Sequence, residues 1–321
     1  MAVSASSEKR KLASVCDDAN GKKRIPARGE IEMSRLYETL RRIEMQRRKS
    51  DPIQIESLQP VDLLNSVMTE PAETEGVPTA KVEIAPSMRL VALTDPCGLG
   101  AEKFRALVTR LENQRKEGNF KSLQITSAVA NEGKTLVAGN LAVTLAKHTG
   151  SRVLVVEGDL HRPTLASLFG LAQLQGIGEW WSAREEKEKI SHYVYQLNEI
   201  PLWFLGAGAT SDQPSQILQS ARFAETFVRV ASWFDWIVVD STPMLPMVDA
   251  NLWSRLVDGT LVVVREGVAP IRALEKGFKS MDNPKLLGMV LNEASEFDHT
   301  NYVDQYYGLS RSQTYIRPVK Q

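Results

Sequence analysis

Between residues 88 and 292 short, almost wholly apolar runs alternate with longer stretches in which apolar positions recur every three or four residues. The runs Leu123–Ile125, Arg152–Val156, Leu202–Leu205, Trp236–Val239, Thr260–Val264 and Leu286–Leu291 predict strands. The stretches Ala101–Glu117, Thr135–His148, Arg222–Ser232, Pro246–Leu256 and Ile271–Met281 predict helices. Strands that are apolar throughout and alternate with helices belong to sheets covered on both sides. The predicted fold is therefore α/β: a doubly wound, mostly parallel sheet with helices on both faces.

Outside that region the pattern breaks down. Residues 1–32 are polar, mixed in charge and aperiodic, and are expected to be disordered. Ser34 is a good N-cap for a basic amphipathic helix over about residues 34–49, with Leu36, Tyr37, Leu40 and Ile43 as its stripe. Such a helix suits docking to a partner or an anionic membrane surface, or light packing on its own domain. Residues 50–87 hold Pro52, Pro60, Pro71, Pro78 and Pro86 among small and acidic residues, a linker composition. The predicted division is thus 1–87 as N-terminal extension, 88–295 as folded domain and 296–321 as flexible tail. The tail carries Tyr302, Tyr306, Tyr307 and Tyr315.

The chemistry gathers where three strands end. Strand Leu123–Ile125 runs into Ala130-Asn131-Glu132-Gly133-Lys134-Thr135-Leu136, and an apolar helix follows. In a phosphate-binding loop the glycine lets the backbone approach a polyphosphate and the lysine meets the β- and γ-phosphates. The threonine hydroxyl can ligate Mg²⁺, and the helix N-terminus faces the anion. The full pattern has a second glycine where this chain has Ala128. Strand Arg152–Val156 ends in Glu157-Gly158-Asp159-Leu160-His161-Arg162-Pro163, with two carboxylates at i and i+2 on one side of a strand end. Strand Trp236–Val239 ends in Asp240, the usual place of a Mg²⁺-holding carboxylate beside such a loop. Alternatively, Asp159 caps a helix beginning at Pro163 and Asp240 a turn before Pro243. Ligands of open α/β sheets bind at the carboxyl ends of the strands, where all three segments converge.

With these motifs the chain resembles the bacterial tyrosine kinases that control exopolysaccharide and capsule synthesis. Those proteins carry a Walker A loop, a second aspartate motif and a Walker B aspartate on one P-loop NTPase-like domain. The resemblance spans about residues 88–308, and includes Leu90–Pro96, Pro214-Ser215-Gln216-Ile217-Leu218 and the segment Ser34–Leu40. It implies an ATP- and Mg²⁺-dependent autokinase that phosphorylates tail tyrosines of a neighbouring subunit. The implied phosphoacceptors are Tyr302, Tyr306, Tyr307 and Tyr315. Nucleotide contacts would come from Asn131, Glu132, Gly133, Lys134, Thr135, Leu136 and Asn292, the last toward the base. Metal would be held by Thr135, Glu157 and Asp240. Lys134, Glu157, Asp159, Arg162 and Asp240 would carry the chemistry. Further implications are a membrane-embedded polysaccharide co-polymerase adaptor as partner and a homo-oligomer.

The chain departs from the family pattern at Glu157, which stands for the first aspartate of the second motif, and at Val108. Val108 replaces the second arginine of a ring-forming Glu-x-x-Arg-x-x-Arg pattern that Glu102 and Arg105 begin. Arg110 lies two positions on, roughly 200° around the helix. Two alternative functions remain at this stage. One is a catalytically weak nucleotide-binding regulator. The other is a partitioning-type ATPase switch, whose second lysine, five residues before the loop lysine, is Val129 here.

Charge and composition remove other classes. The formal net charge is zero, which argues against a nucleic-acid partner. The two cysteines, Cys16 and Cys97, form no disulfide framework or zinc spacing, and the four histidines are scattered. His161, inside the carboxylate motif, is expected to pack or face solvent. No apolar run nears the ~20 residues that span a bilayer, and the N-terminus lacks a signal-peptide core. The chain is expected to be cytoplasmic and to reach the membrane through its partner.

Overall fold

The structure is a computed structural model that describes residues 16–17, 23–24, 77–82, 88–171, 174–183, 189–198, 200–209, 213–282 and 285–293. The predicted helix over residues 34–49 and the tyrosine-bearing tail lie outside the described residues. The chain divides into two compact units, Met1–Leu63 and Leu64–Gln321. In the first, strands β1 (Cys16–Asp17) and β2 (Lys23–Arg24) pair antiparallel, a short ladder in a stretch whose aperiodic sequence predicts none.

The second unit is built on an eight-stranded sheet. Its strands are β3 (Thr79–Ala80), β4 (Ser122–Ser127), β5 (Val153–Glu157), β6 (Val194–Leu197), β7 (Leu202–Leu205), β8 (Trp236–Asp240), β9 (Gly259–Arg265) and β10 (Leu286–Asn292). Their order is β10-β9-β4-β8-β5-β7-β6-β3. Every neighbouring pair is parallel except the β6–β7 hairpin. The helices are α1 (Val91–Thr94), α2 (Leu99–Gly118), α3 (Lys134–Thr149), α4 (Leu165–Leu168), α5 (Ile177–Ser182), α6 (Pro214–Gln219), α7 (Ala221–Ser232), α8 (Asp249–Leu256) and α9 (Ile271–Lys279).

Period-two alternation splits the buried strand residues between two cores. Val153, Val155, Ile125, Val238 and Val263 pack with Val108 and Leu111 of α2 and with the apolar length of α3. Leu154, Val156, Ile237 and Val239 face the other way, toward Trp180, Ile217, Phe223, Phe227 and Trp253 of α5 to α8. A sheet covered on both faces has only its ends open to ligands.

The sheet also takes in residues ahead of Met88, the predicted start of the domain. Within the predicted linker, β3 adds in parallel beside β6, and Ala80 and Val82 are buried while Thr79 and Lys81 are exposed. The Gln196 N–H bonds the Pro78 carbonyl at 2.9 Å and the Asn198 N–H bonds that of Ala80 at 3.2 Å. This alternation covers only four residues between prolines, too short to stand out in the sequence.

Candidate functional site: a phosphate loop and three strand-end carboxylates

The loop between β4 and α3 is shaped by two left-handed residues, Asn131 (φ 68°) and Gly133 (φ 91°). Gly133 is required twice over: at that φ a side chain is strained, and a Cβ would stand 2.1 Å from Asn292 Nδ2. Ala128, where the usual pattern has glycine, is fully buried with its backbone outside the left-handed region, so a methyl group is accommodated. Glu132 is buried within the loop: Oε2 accepts from the Val129 N–H (2.8 Å) and Oε1 from the Arg265 N–H (3.3 Å). Burial raises its carboxyl above the ordinary range, against the pull of those N–H groups. Its side chain is therefore a brace for the loop, and only its backbone is left to meet a ligand. The Asn292 amide donates to the Glu132 carbonyl (2.9 Å), which sets β10 against the loop.

Lys134 opens α3 and points back across the sheet edge. Its Nζ lies 3.0 Å from Asp159 Oδ2 and 3.9 Å from Asp240 Oδ1, at the ends of β5 and β8. Asp240 is wholly buried, and neither of its oxygens has a hydrogen-bond partner. Burial pushes its pKa up to about 6; the Lys134 charge and the Thr135 hydroxyl, which is close but outside hydrogen-bond geometry, oppose this, while the Asp159 and Glu157 charges add to it. A buried carboxylate with two empty acceptors is costly unless a cation or donor fills them. Hard oxygen ligands suit Mg²⁺, and the Asp240 carboxylate and the Thr135 hydroxyl are of that kind. Thr135 Oγ1 is 3.2 Å from the Thr164 hydroxyl.

Glu157 does not join them. Its Oε1 accepts from the Leu165 N–H (2.7 Å) and the Ala166 N–H (3.1 Å), and its Oε2 from the Ala207 N–H (3.2 Å). It caps α4 and ties the strand end to the loop after β7, so three backbone N–H groups already engage the carboxylate to which the resemblance gives a metal-holding role. Asp159, the sequence candidate for the helix cap, instead accepts from the Arg162 N–H at 3.0 Å while pairing with Lys134. The side chain of Arg162 is exposed. The structure thus brings Lys134, Thr135, Asp159 and Asp240 together and leaves Glu157 engaged elsewhere. Tyr302, Tyr306, Tyr307 and Tyr315 lie outside the described residues.

Two pairings at this edge do not follow from the sequence reading. Arg265 donates from Nη1 to the Asn131 carbonyl (3.3 Å) and its guanidinium pairs with Glu293. As the first polar residue after the run Thr260–Val264, it stands at the same edge as the other candidates, and that signal was available. His161 does not simply pack or face solvent. Its Nε2 is 2.9 Å from Oδ2 of buried Asp249, a long-range pairing that no local pattern encodes. In α2, Val108 is fully buried, so no surface arginine can occupy its place. Glu102 and Arg105 pair with each other, and Arg105 Nη1 also donates to the Pro96 carbonyl (2.8 Å).

No family model matches the chain. Tyrosine-protein kinase YwqD of Bacillus subtilis is 30% identical over 221 residues, which cover 68% of this chain and 91% of that protein. The succinoglycan biosynthesis transport protein ExoP of Rhizobium meliloti is 29% identical over 219 residues, 67% of this chain and 27% of that longer protein. The kinase domain of Escherichia coli tyrosine kinase ETK superposes with a TM-score of 0.58 at 22% identity, covering 70% of this chain and 95% of that domain. That last likeness is one of fold.

Proposed function

Since this chain belongs to the bacterial tyrosine-protein kinases of capsule and exopolysaccharide systems, we propose that it transfers the γ-phosphoryl group of ATP to tyrosine hydroxyls. Its substrates would be Tyr302, Tyr306, Tyr307 and Tyr315 on the tail of a second copy. The observation that carries this reading is the buried Asp240 carboxylate, without a hydrogen bond and 3.9 Å from the Lys134 ammonium, at the mouth of the phosphate loop. A Mg²⁺ ion held by Asp240 and Thr135 would supply positive charge to the transferring group. Lys134 would swing from Asp159 onto the β- and γ-phosphates, and the backbone N–H groups of residues 131–136 would hold the remaining oxygens. Asp159, released from the lysine, accepts the tyrosine proton as the phenolic oxygen bonds phosphorus and the bond to the ADP oxygen breaks. Arg162 is exposed beside Asp159 and available to charge on the transferring group. Asn292, against the loop, would meet the base.

Among the described residues no helix is long and apolar enough to cross a membrane. A cytoplasmic chain recruited by a membrane-embedded co-polymerase adaptor accords with that and with ExoP, a transport protein of polysaccharide biosynthesis. One observation favours a second reading, a nucleotide-binding regulator with little turnover: the carboxylate of Glu157 is consumed by three backbone N–H groups. Phosphotyrosine mapping of the chain co-expressed with the cytoplasmic segment of its adaptor, beside Lys134→Ala, separates the two. Phosphate on the tail tyrosines that disappears in the variant is the expected result. ATP binding without any phosphotyrosine would overturn the kinase reading in favour of the regulator.

A further inference from the structure

Helix α8 lies against the loop that follows β5 and grips it at two points. Trp253 Nε1 donates to the Gly158 carbonyl at 3.0 Å. One turn earlier, Asp249 Oδ2 stands 2.9 Å from His161 Nε2, an ion-pair contact outside hydrogen-bond geometry, and no donor among the described residues hydrogen-bonds that oxygen. Positions i and i+4 share one helix face, so a single rigid surface meets both points. The gripped residues, Gly158 and His161, bracket Asp159.

Each grip is built into the packing. Gly158 is the residue that admits the indole: a Cβ there would stand 2.6 Å from Val239 Cγ1 and 2.9 Å from Trp253 Nε1. Trp253 is fully buried against Phe223 and Phe227, and so cannot yield. Asp249 is fully buried too, and its Oδ1 accepts from the Ser215 hydroxyl at 2.5 Å. That bond turns Oδ2 toward His161, whose side chain is one-third exposed. A buried carboxylate oxygen without a hydrogen bond favours keeping the one imidazole nitrogen that stands 2.9 Å away, because losing that neighbour leaves the buried charge with nothing beside it.

We infer that Asp249–His161 and Trp253–Gly158 form a two-point clamp that positions Asp159 for phosphoryl transfer, an inference resting on the kinase reading above. The clamp matters when nucleotide arrives. Asp159 is oriented by Lys134 on Oδ2 and by the Arg162 N–H on Oδ1. Once Lys134 turns to phosphate, the first restraint is gone. The loop backbone must then hold Asp159 in place, and the clamp fixes that backbone on either side. His161, Asp249 and Trp253 are positioning residues in this scheme, since none touches the reacting atoms.

Substitution of Asp249 risks the fold, so the test uses the partly exposed His161 in the full chain. His161→Ala should lower kcat by about 10- to 100-fold, the range for a catalytic group displaced by about 1 Å. KM for ATP should stay within about threefold, because the phosphate loop is untouched. His161→Gln, which keeps an N–H donor at similar reach, should recover most of the loss. A purely structural bond would lower the melting temperature and leave kcat, measured well below melting, alone. Unchanged kcat in His161→Ala, or no advantage of Gln over Ala, overturns the clamp. Hydrogen exchange of the Trp253 indole N–H gives a readout independent of turnover. If the wild-type chain shows no Lys134-dependent phosphotransfer, the kinase reading has failed, and the clamp is then decided by exchange. Faster exchange in His161→Ala upholds it, and unchanged exchange refutes it.

Discussion

The two ends of the sheet treat their carboxylates in opposite ways. At the amino-terminal end, Asp258 Oδ2 accepts from the Lys121 N–H (3.0 Å), the Ser122 N–H (2.9 Å) and the Ser122 hydroxyl (2.7 Å). Nearby, Asp235 accepts from the Arg152 N–H at 2.8 Å and pairs with the Arg152 side chain. At the carboxyl-terminal end Asp240 is buried with both oxygens empty and its pKa pushed up to about 6. Satisfied carboxylates tie strand starts together, whereas the unsatisfied one stores unfavourable energy at the edge where a ligand can relieve it. Perturbed groups gather at functional sites for this reason. Glu157 belongs by position to the second end and by bonding to the first.

The contrast can be broken by substitution, starting where the effect should be largest. Lys134→Ala removes the cation facing both Asp159 and Asp240 and should cut tyrosine phosphorylation by about 10²- to 10³-fold or more, as loss of a charge-stabilising donor does elsewhere; radiolabel transfer from ATP is the measurement. Asp240→Asn should lower activity on the order of 10²-fold and yet stabilise the nucleotide- and metal-free protein. Because the folded pKa of Asp240 lies above its unfolded value of 3.8, the folded state binds the proton more tightly. Its contribution to stability is therefore full below pH 3.8 and lost as pH rises through about 6. At pH 7.5 the asparagine variant should gain on the order of 3 kcal/mol, an advantage that shrinks toward pH 4. Denaturant titrations at both pH values would expose a flat difference if Asp240 does not titrate in this window.

At the other end, Asp258→Ala should cost about 1–3 kcal/mol of stability by orphaning its donors. Turnover per folded molecule should stay unchanged, and a loss of kcat would erase the distinction between the two edges. The smallest effect is expected at Glu157. Glu157→Gln should destabilise by about 1–2 kcal/mol, since one acceptor oxygen is replaced by an amide NH₂ donor facing N–H groups. Mg²⁺ dependence should be that of the wild type; a shifted metal requirement would return Glu157 to the metal site.

That Lys134, Asp159 and Asp240 meet at one sheet edge was legible, because each follows an apolar run and strand ends show in the apolar runs. The backbone contacts of Glu157 were not legible, because the i, i+2 rule fixes the side of the strand and says nothing of side-chain reach. As the last residue of β5, it finds the free N–H groups of α4 and turns to them. Glu132 was legible as part of the loop, but its role as an internal brace depends on Arg265, which is 133 residues away. The edge strand β3 escaped notice because four alternating residues among prolines carry too little pattern.

The layered α/β fold, the loop between β4 and α3 and the sheet edge beside it can be read from local periodicity and from residue types that polyphosphate chemistry requires. Which carboxylates are spent on backbone N–H groups, which are left without a hydrogen bond, and that α8 meets the loop around Asp159 become visible with the folded chain. Those outcomes depend on donors far apart in the chain, and a buried oxygen takes whichever donor packing brings within 3 Å or so.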